Sequence, residues 1–312
     1  MEKKTLFSSV AAQWLADKKN YVRRSTFATY SLLLWRHIVP ALGDRKVIRE
    51  EDVQAFVNRK LAIGMSHKTV KDMLVVLKMI IRHGEKHGLL PPCNMDIRFP
   101  TPRTKHSIDV LSLANQRLLL SHVRENVSPM NLGIYICLTG GLRIGEVCAL
   151  QWADIDTRAG VIRVSKTLQR IYITGGGALG ADSHAELILG PPKTPTSIRE
   201  IPMTRDLLAL IRPLKKDAKP EHYVLTNSPK PIEPRSYRTY FNRLEKQLGL
   251  PQMRFHGLRH SFATRCIESK CDYKTVSVLL GHSNISTTLN LYVHPGMDQK
   301  RQCINTMDRL LR

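Results

Sequence analysis

Three stretches of the sequence collect residue types that bind or attack a phosphate. In Thr139–Asp156 (TGGLRIGEVCALQWADID), Gly140 and Gly141 precede Arg143 at the start of an apolar helical run. Glycines let a backbone approach closely, and an arginine beside them offers a planar two-pronged donor to a phosphate. In Phe255–Thr264 (FHGLRHSFAT), His256 and Arg259 are three residues apart. On a helix they share a face and set a proton donor or acceptor beside a fixed cation. In Leu279–Pro295 (LLGHSNISTTLNLYVHP), Tyr292 follows His282 by ten residues. A turn at Gly281–Asn284 and a new helix from about Ser286 would return the phenol towards the imidazole. Each cluster alone has a plainer reading: Arg143 can pair with Glu146 one turn on, and most tyrosines are packed aromatics.

Two other patterns carry less. His260 lies four residues from His256 and invites a zinc reading, but Gly257 stands where an H-E-x-x-H helix needs its glutamate, and Cys266 with Cys271 lacks a knuckle spacing. A second-row or buried role suits His260 better. Gly175, Gly177 and Gly180 satisfy G-x-G-x-x-G, but they sit between β-like segments with no crossover helix, as a long hairpin turn would. There is no G-x-x-x-x-G-K-[ST] run and no carboxylate cluster of the two-metal kind. We therefore expect no cofactor, no metal site, and phosphate chemistry without Mg²⁺.

The elements that must position these residues follow from hydrophobic spacing. Residues 1–97 read as a helical bundle with four apolar runs: Phe7, Val10, Ala11, Trp14 and Leu15; Tyr30, Leu33, Leu34 and His37–Ile38, stopped by Pro40 and Gly43; Val53, Phe56, Val57 and Leu61, ending at Gly64; and Val70 to Ile81, continuing to about Gly88 with Ser66 as N-cap. Arg98–His106 (RFPTPRTKH) cannot continue a helix through Pro100 and Pro102, so 98–107 reads as a basic linker carrying Arg103 and Lys105. Residues 108–312 are mixed. Helical patterns at about 112–125 and 130–150 lead into the β-like runs VIRVS, IYIT, ELIL and REIPM, and helices resume near Asp206. The class is α+β, mainly α with a small antiparallel β-sheet.

The chain has 312 residues, 48 basic against 26 acidic, a net charge of +22. With 42% hydrophobic residues, that charge decorates a folded protein of about two domains. It divides evenly: 20 basic and 9 acidic residues up to Ser107, 28 and 17 after it. Both parts therefore suit an acidic partner, of which nucleic acid, an anionic membrane and an acidic protein are the classes. Membrane fits worst, since the N-terminus lacks an apolar signal core and no stretch approaches the roughly 18 apolar residues of a span. Six cysteines without framework spacing fit a reducing cytoplasm.

Taken in order, Arg143, the pair His256 and Arg259, then Gly281–His282 and Tyr292 resemble the tyrosine recombinase (phage integrase) family, over nearly the whole chain. AAQWLADKKNYVRRSTFATYSLLLWRHIVPALG and the later MSHKTVKDML resemble that family's helical core-binding (SAM-like) domain, which would precede the catalytic domain. The resemblance implies that Tyr292 attacks a DNA phosphodiester to form a 3′-phosphotyrosyl link. It implies that Arg143 and Arg259 clamp the phosphate, His256 acts as base, and His282 hydrogen-bonds the phosphate. The family's hairpin lysine, a general acid, falls on Lys193 in GPPKTPTSIREIPM, with Lys166 in RVSKT competing. Glu146 would orient the site rather than transfer protons.

The implied activity is site-specific recombination of mobile DNA without ATP. A homotetramer would assemble on duplex DNA from a chain compatible with a monomer in solution, with room for an excision or architectural accessory protein. Met297–Leu311 carries Cys303, Ile304, Met307, Leu310 and Leu311 at helical spacing, suiting either a helix that docks on a neighbour or one that packs on its own domain. A catalytically silent DNA-binding protein of the same fold and a type IB topoisomerase are the alternatives. The core-binding pattern begins near Thr5, whereas many integrases of temperate phages and conjugative elements carry a separate arm-binding domain ahead of it; either the enzyme is of the simpler type without arm sites or the chain is a truncated version.

Overall fold

The computed structural model describes residues 5–100, 108–174, 183–192, 194–292 and 297–311. They fall into two compact units: Met1–His106 with Arg170–Ile188, and Ser107–Gln169 with Leu189–Arg312.

In the first unit, α1 (Phe7–Lys18), α2 (Arg24–Leu33), α3 (Val39–Leu42), α4 (Glu50–Ala62) and α5 (His67–Lys86) enclose a core that includes Phe7, Trp14, Leu34, Phe56, Met73 and Leu77. Burying each such side chain fully contributes about 1.5–3 kcal/mol. The α5 stripe is the clearest, with Val70, Met73, Leu74, Leu77, Ile80, Ile81 and Gly84 buried at the three-and-four spacing of one face. Ser66 caps it, its Oγ accepting the Thr69 N–H at 3.1 Å.

Pro40 does not stop the second run as its sequence suggests. α2 passes through a π-helical turn at Leu34–Ile38 into α3, and the helix ends beside Gly43. A proline in a helix lacks an N–H for the carbonyl four residues back and its ring collides with that carbonyl. The wider turn just ahead of it relieves the conflict. After α5 the chain stays on this unit beyond residue 97. The Arg98 N–H donates to Gln54 Oε1 at 2.9 Å, Gln54 Nε2 donates to the Arg98 carbonyl at 3.1 Å, and the Lys71 ammonium lies 5.4 Å from the Phe99 ring centre. The rest of the expected linker, 101–107, lies outside the described residues.

The second unit opens with α6 (Leu113–Glu125), α7 (Pro129–Gly140) and α8 (Ile144–Cys148). Leu132, Ile134, Tyr135, Ile136, Cys137 and Leu138 of α7 are all 2% exposed or less, so the helix has no polar face for a sequence pattern to show. Strands β1 (Ile155–Asp156), β2 (Val161–Val164), β3 (Thr167–Ile173), β4 (His184–Gly190) and β5 (Arg199–Pro202) follow. β1, β2 and β5 make an antiparallel sheet in that order, with Ile162 opposite both Ile155 and Ile201. β3 pairs with β4.

Helices α9 (Arg205–Lys216), α10 (Pro234–Gln247), α11 (His256–Glu268), α12 (Tyr273–Leu280), α13 (Ile285–Tyr292) and α14 (Met297–Leu310) complete the unit. α11 lies against α7 and ties down the start of the domain: Ser261 Oγ accepts the Leu111 N–H at 2.8 Å, and Arg265 donates to the Leu111 carbonyl at 2.9 Å. Phe262, Val276, Leu280 and Tyr292 form a satellite cluster. On α14, Met297, Ile304 and Met307 are exposed.

Residues 170–188 of the β3–β4 hairpin group with the first unit, a division that the single cut near 107 does not anticipate. There Arg24 donates to Glu186 Oε2 at 2.5 Å and the Ser31 hydroxyl bonds the Thr174 hydroxyl. The Gly-rich run expected to turn the hairpin falls at 175–180, outside the described residues.

Candidate active site

Two glycine turns deliver the site. Gly141 ends α7 at φ 66°, and a Cβ there would lie 2.5 Å from Phe262 Cδ1. Conformation and space both demand glycine. Gly281 ends α12 at φ 62°, where a Cβ would meet Ser197 Cα at 3.1 Å. The first turn places Arg143 at the N-cap of α8, and the second places His282.

Arg143 pairs with Glu146 as its spacing suggests. The Arg143 N–H donates to Glu146 Oε2 at 2.9 Å, Nη1 to Oε1 at 2.7 Å, and Nη2 to the Gly281 carbonyl at 3.3 Å. Its side chain nevertheless stays 35% exposed and lines the cavity. Glu146 also receives Arg199, with Nη2–Oε2 at 2.9 Å and Nη1–Oε1 at 3.2 Å. Burial pushes the Glu146 carboxyl up, but the bonds and charge of Arg199, with those of Arg143, outweigh it and hold the group below its ordinary value. It is therefore an ionised brace and an unsuitable proton donor.

Arg259 is 1% exposed. Its Nη1 donates to the Gly141 carbonyl at 2.8 Å and its Nη2 to the Leu280 carbonyl at 2.6 Å, so one guanidinium joins the C-terminal ends of α7 and α12. Burial, then the charge of Arg143, lowers it to about 9, still protonated at neutral pH. In and behind the cavity, Arg143, Arg199 and Arg259 against Glu146 leave a net charge of +2. Such a site attracts an anion.

The histidines are neutral at physiological pH. Burial, followed by the charges of His260, Arg259 and Arg143, pushes His256 down to about 4. Burial, followed by Arg259 and Arg143, does the same to His282, whose Nδ1 lies 2.8 Å from Oγ1 of the fully buried Thr288. Tyr292 ends α13, 9% exposed, with its hydroxyl 2.6 Å from His260 Nδ1. Burial raises the phenol's pKa and the two arginines pull against it.

Arg143, His256, Arg259, His282 and Tyr292 thus line one cavity of about 480 Å³. Lys193 lies outside the described residues, although Pro192 and Thr194 on either side of it line the same cavity. Lys166 donates to Gln151 Oε1 at 2.5 Å and sits 3.3 Å from Asp154 Oδ2, away from the cavity lining.

Sequence reasoning missed two residues. Arg199 was visible only as the start of the β-like run REIPM, yet the alternation of β5 turns Arg199 inward with Ile201, and a buried cation requires a buried carboxylate. His260, given a second-row or buried role from the sequence, is the histidine in contact with the Tyr292 hydroxyl, whereas among the described residues no hydrogen bond links His256 to it. The four-residue spacing from His256 was the available signal.

Residues 111–299 match the phage integrase family, and residues 6–61 match the phage integrase N-terminal SAM-like domain. A tyrosine recombinase XerC-like protein of Caldanaerobacter subterraneus subsp. tengcongensis is 28% identical over 285 residues, 85% of this chain and 72% of that one. The ICEBs1 integrase of Bacillus subtilis is 24% identical over 330 aligned positions, 98% of this chain and 83% of its own. Among solved structures, the Tn1549 transposon integrase in complex with a circular intermediate DNA superposes with a TM-score of 0.78 at 25% identity, covering 98% of this chain and 99% of that one. The λ integrase bound to DNA shares the fold, with a TM-score of 0.62 at 16% identity over 89% and 92% of the two chains. With more than half its length matched and Tyr292, two arginines and two histidines gathered in one cavity, the chain belongs to the phage integrase family, the tyrosine recombinases.

Proposed function

We propose that this chain is a site-specific DNA recombinase that integrates or excises mobile DNA through a covalent 3′-phosphotyrosyl intermediate. The observation that carries the reading is the convergence of the Tyr292 phenol with Arg143, Arg259, His256 and His282 in one electropositive cavity. Tyr292 attacks the phosphodiester in line with the 5′-oxygen. Its own oxygen keeps the bond energy, so rejoining needs no ATP. Arg143 and Arg259 hold the non-bridging oxygens and stabilise the pentacoordinate transition state. Neutral His256 and His282 contribute hydrogen bonds without competing for the charge. The α11 histidines supply the proton acceptor, and Lys193 protonates the leaving 5′-oxygen.

Duplex DNA is the partner. The net charge of +22 makes phosphate contacts the main source of affinity, so binding falls steeply with salt. Phosphate contacts position the enzyme, while base contacts set the target site. The λ integrase has been solved as a tetramer bound to a Holliday junction. We assign the same stoichiometry to this chain on its site, with the exposed Met297, Ile304 and Met307 of α14 suited to a neighbouring copy and an excision or architectural protein as accessory. Among the described residues no helix is long and apolar enough to cross a membrane, and we place the protein in the cytoplasm with its substrate.

A nicked duplex bearing the crossover site traps covalent protein at a 3′ end if this is right. Wild type without adduct, or Tyr292→Phe with as much adduct as wild type, refutes catalysis and favours a DNA-binding protein that does not cut.

A further inference from the structure

We propose that His260 is the group that takes the proton from Tyr292 during strand cleavage, an assignment that rests on the recombinase reading above. The Tyr292 hydroxyl and His260 Nδ1 are 2.6 Å apart, with ring centres 5.6 Å apart and planes at 54°. A phenol O–H at that distance donates to an unprotonated Nδ1, which leaves the ring proton on Nε2. His256 stands one turn earlier on the same face and meets the His260 ring edge-on at 4.6 Å. It lines the cavity, but the tyrosine is bonded to its neighbour.

The surroundings suit a base. Among the described residues, Arg259 and His256 on α11, Asp109 from the segment ahead of α6, and Tyr292 from α13 are the titratable or charged groups around the His260 ring. Burial, then the positive charge of Arg259, lowers the His260 pKa, and Asp109 opposes them. The imidazole is therefore unprotonated at neutral pH and free to accept. Burial also keeps Tyr292 protonated, so phenolate is not available unaided and the acceptor must be in contact.

The step balances. The Tyr292 O–H bond breaks as its oxygen bonds phosphorus, and the proton passes to His260 Nδ1. The P–O5′ bond breaks, and the leaving oxygen takes a proton from the general acid, assigned above to Lys193. On rejoining, both protons return. Because Arg259 disfavours a charged His260, the imidazolium is a good donor back to the tyrosine.

Single-turnover cleavage against pH tests this, using nicked duplexes with an ordinary or a 5′-bridging phosphorothiolate linkage. The protein would be wild type, His260→Asn, His260→Ala and His256→Asn. Asparagine keeps an acceptor oxygen near the Nδ1 position and lacks basicity. We expect His260→Asn to cleave about 10²-fold or more slowly and to lose the fall in rate on the acid side. The thiolate leaving group, which needs no general acid, should not rescue it, whereas added imidazole should partly restore His260→Ala. Thermal unfolding and DNA binding report whether each variant is folded. Independently, ¹⁵N NMR should find the His260 proton on Nε2 and an Nδ1 signal that moves in Tyr292→Phe. His260→Asn cleaving at the wild-type rate, or keeping the acid-side fall, overturns this assignment alone, as does a proton on Nδ1. Wild type without adduct overturns the recombinase reading and this role with it.

Discussion

Replacing Glu146 by glutamine should cost stability out of proportion to so small a change of shape. The carboxylate is 2% exposed and holds both Arg143 and the 3% exposed Arg199. Glutamine keeps the shape but turns an N–H₂ towards a guanidinium, leaving a buried cation without its counter-charge. Breaking a buried pair from one side typically costs about 3–5 kcal/mol. For a unit of this size each kcal/mol shifts Tm by about 2–4 °C, so E146Q should melt on the order of 10 °C below wild type. Arg199→Met alone should be similarly damaging. The double variant E146Q/R199M should be better than the sum of the two by about 2 kcal/mol, since neither partner is then stranded.

The gap also has a pH signature. A carboxyl with a lowered folded pKa stabilises the fold above its unfolded value and loses that contribution as pH falls through the folded one. The wild-type advantage over E146Q should therefore be complete at neutral pH and shrink once pH drops below the ordinary value of 4.5. Differential scanning calorimetry from neutral pH downward measures all of this. E146Q within about 0.5 kcal/mol of wild type, or strict additivity with R199M, would refute the view that this carboxylate braces the two arginines.

Three further expectations follow from the geometry. Gly141→Ala forces a side chain into the left-handed region at φ 66° with its Cβ 2.5 Å from Phe262; denaturant unfolding should show a loss of about 2 kcal/mol or more. Arg259→Lys cannot span the Gly141 and Leu280 carbonyls and a phosphate together, so covalent trapping should fall by about 10²-fold or more, and near-wild-type trapping would remove Arg259 from the clamp. His256 and His282 are pushed down to about 4, so their NMR titrations should stay flat from pH 8 to about 5.5. A midpoint near the ordinary histidine value would show that burial and the two arginines do not suppress them.

That Arg143, His256, Arg259, His282 and Tyr292 share one cavity was legible because phosphate chemistry favours such residue types, and their local spacings in FHGLRH and LLGHS encode helix faces and a glycine turn. The α5 stripe and the Ser66 cap were equally plain, since both are set within a few residues of chain. What stayed hidden depends on distant partners. Arg199 finds Glu146 53 residues away, and His260 finds Tyr292 32 residues away. Pro40 misled because a π turn ahead of it depends on tertiary packing. The hairpin's grouping with the first unit arises from partners such as Arg24 and Ser31, which no periodicity of the hairpin itself records.

Arg259 surrenders its rotameric freedom when the chain folds, because the Gly141 and Leu280 carbonyls leave the guanidinium one place to be. A free arginine side chain carries about 2 kcal/mol of such freedom, and none of it remains to be lost when a phosphate arrives. In the proposed reaction the centre meets a phosphate on cutting and again on rejoining, and an arginine that had to be immobilised each time would tax both passages. Here the ordering is done once, at folding, and what varies from step to step is confined to the tyrosine, its proton and the DNA.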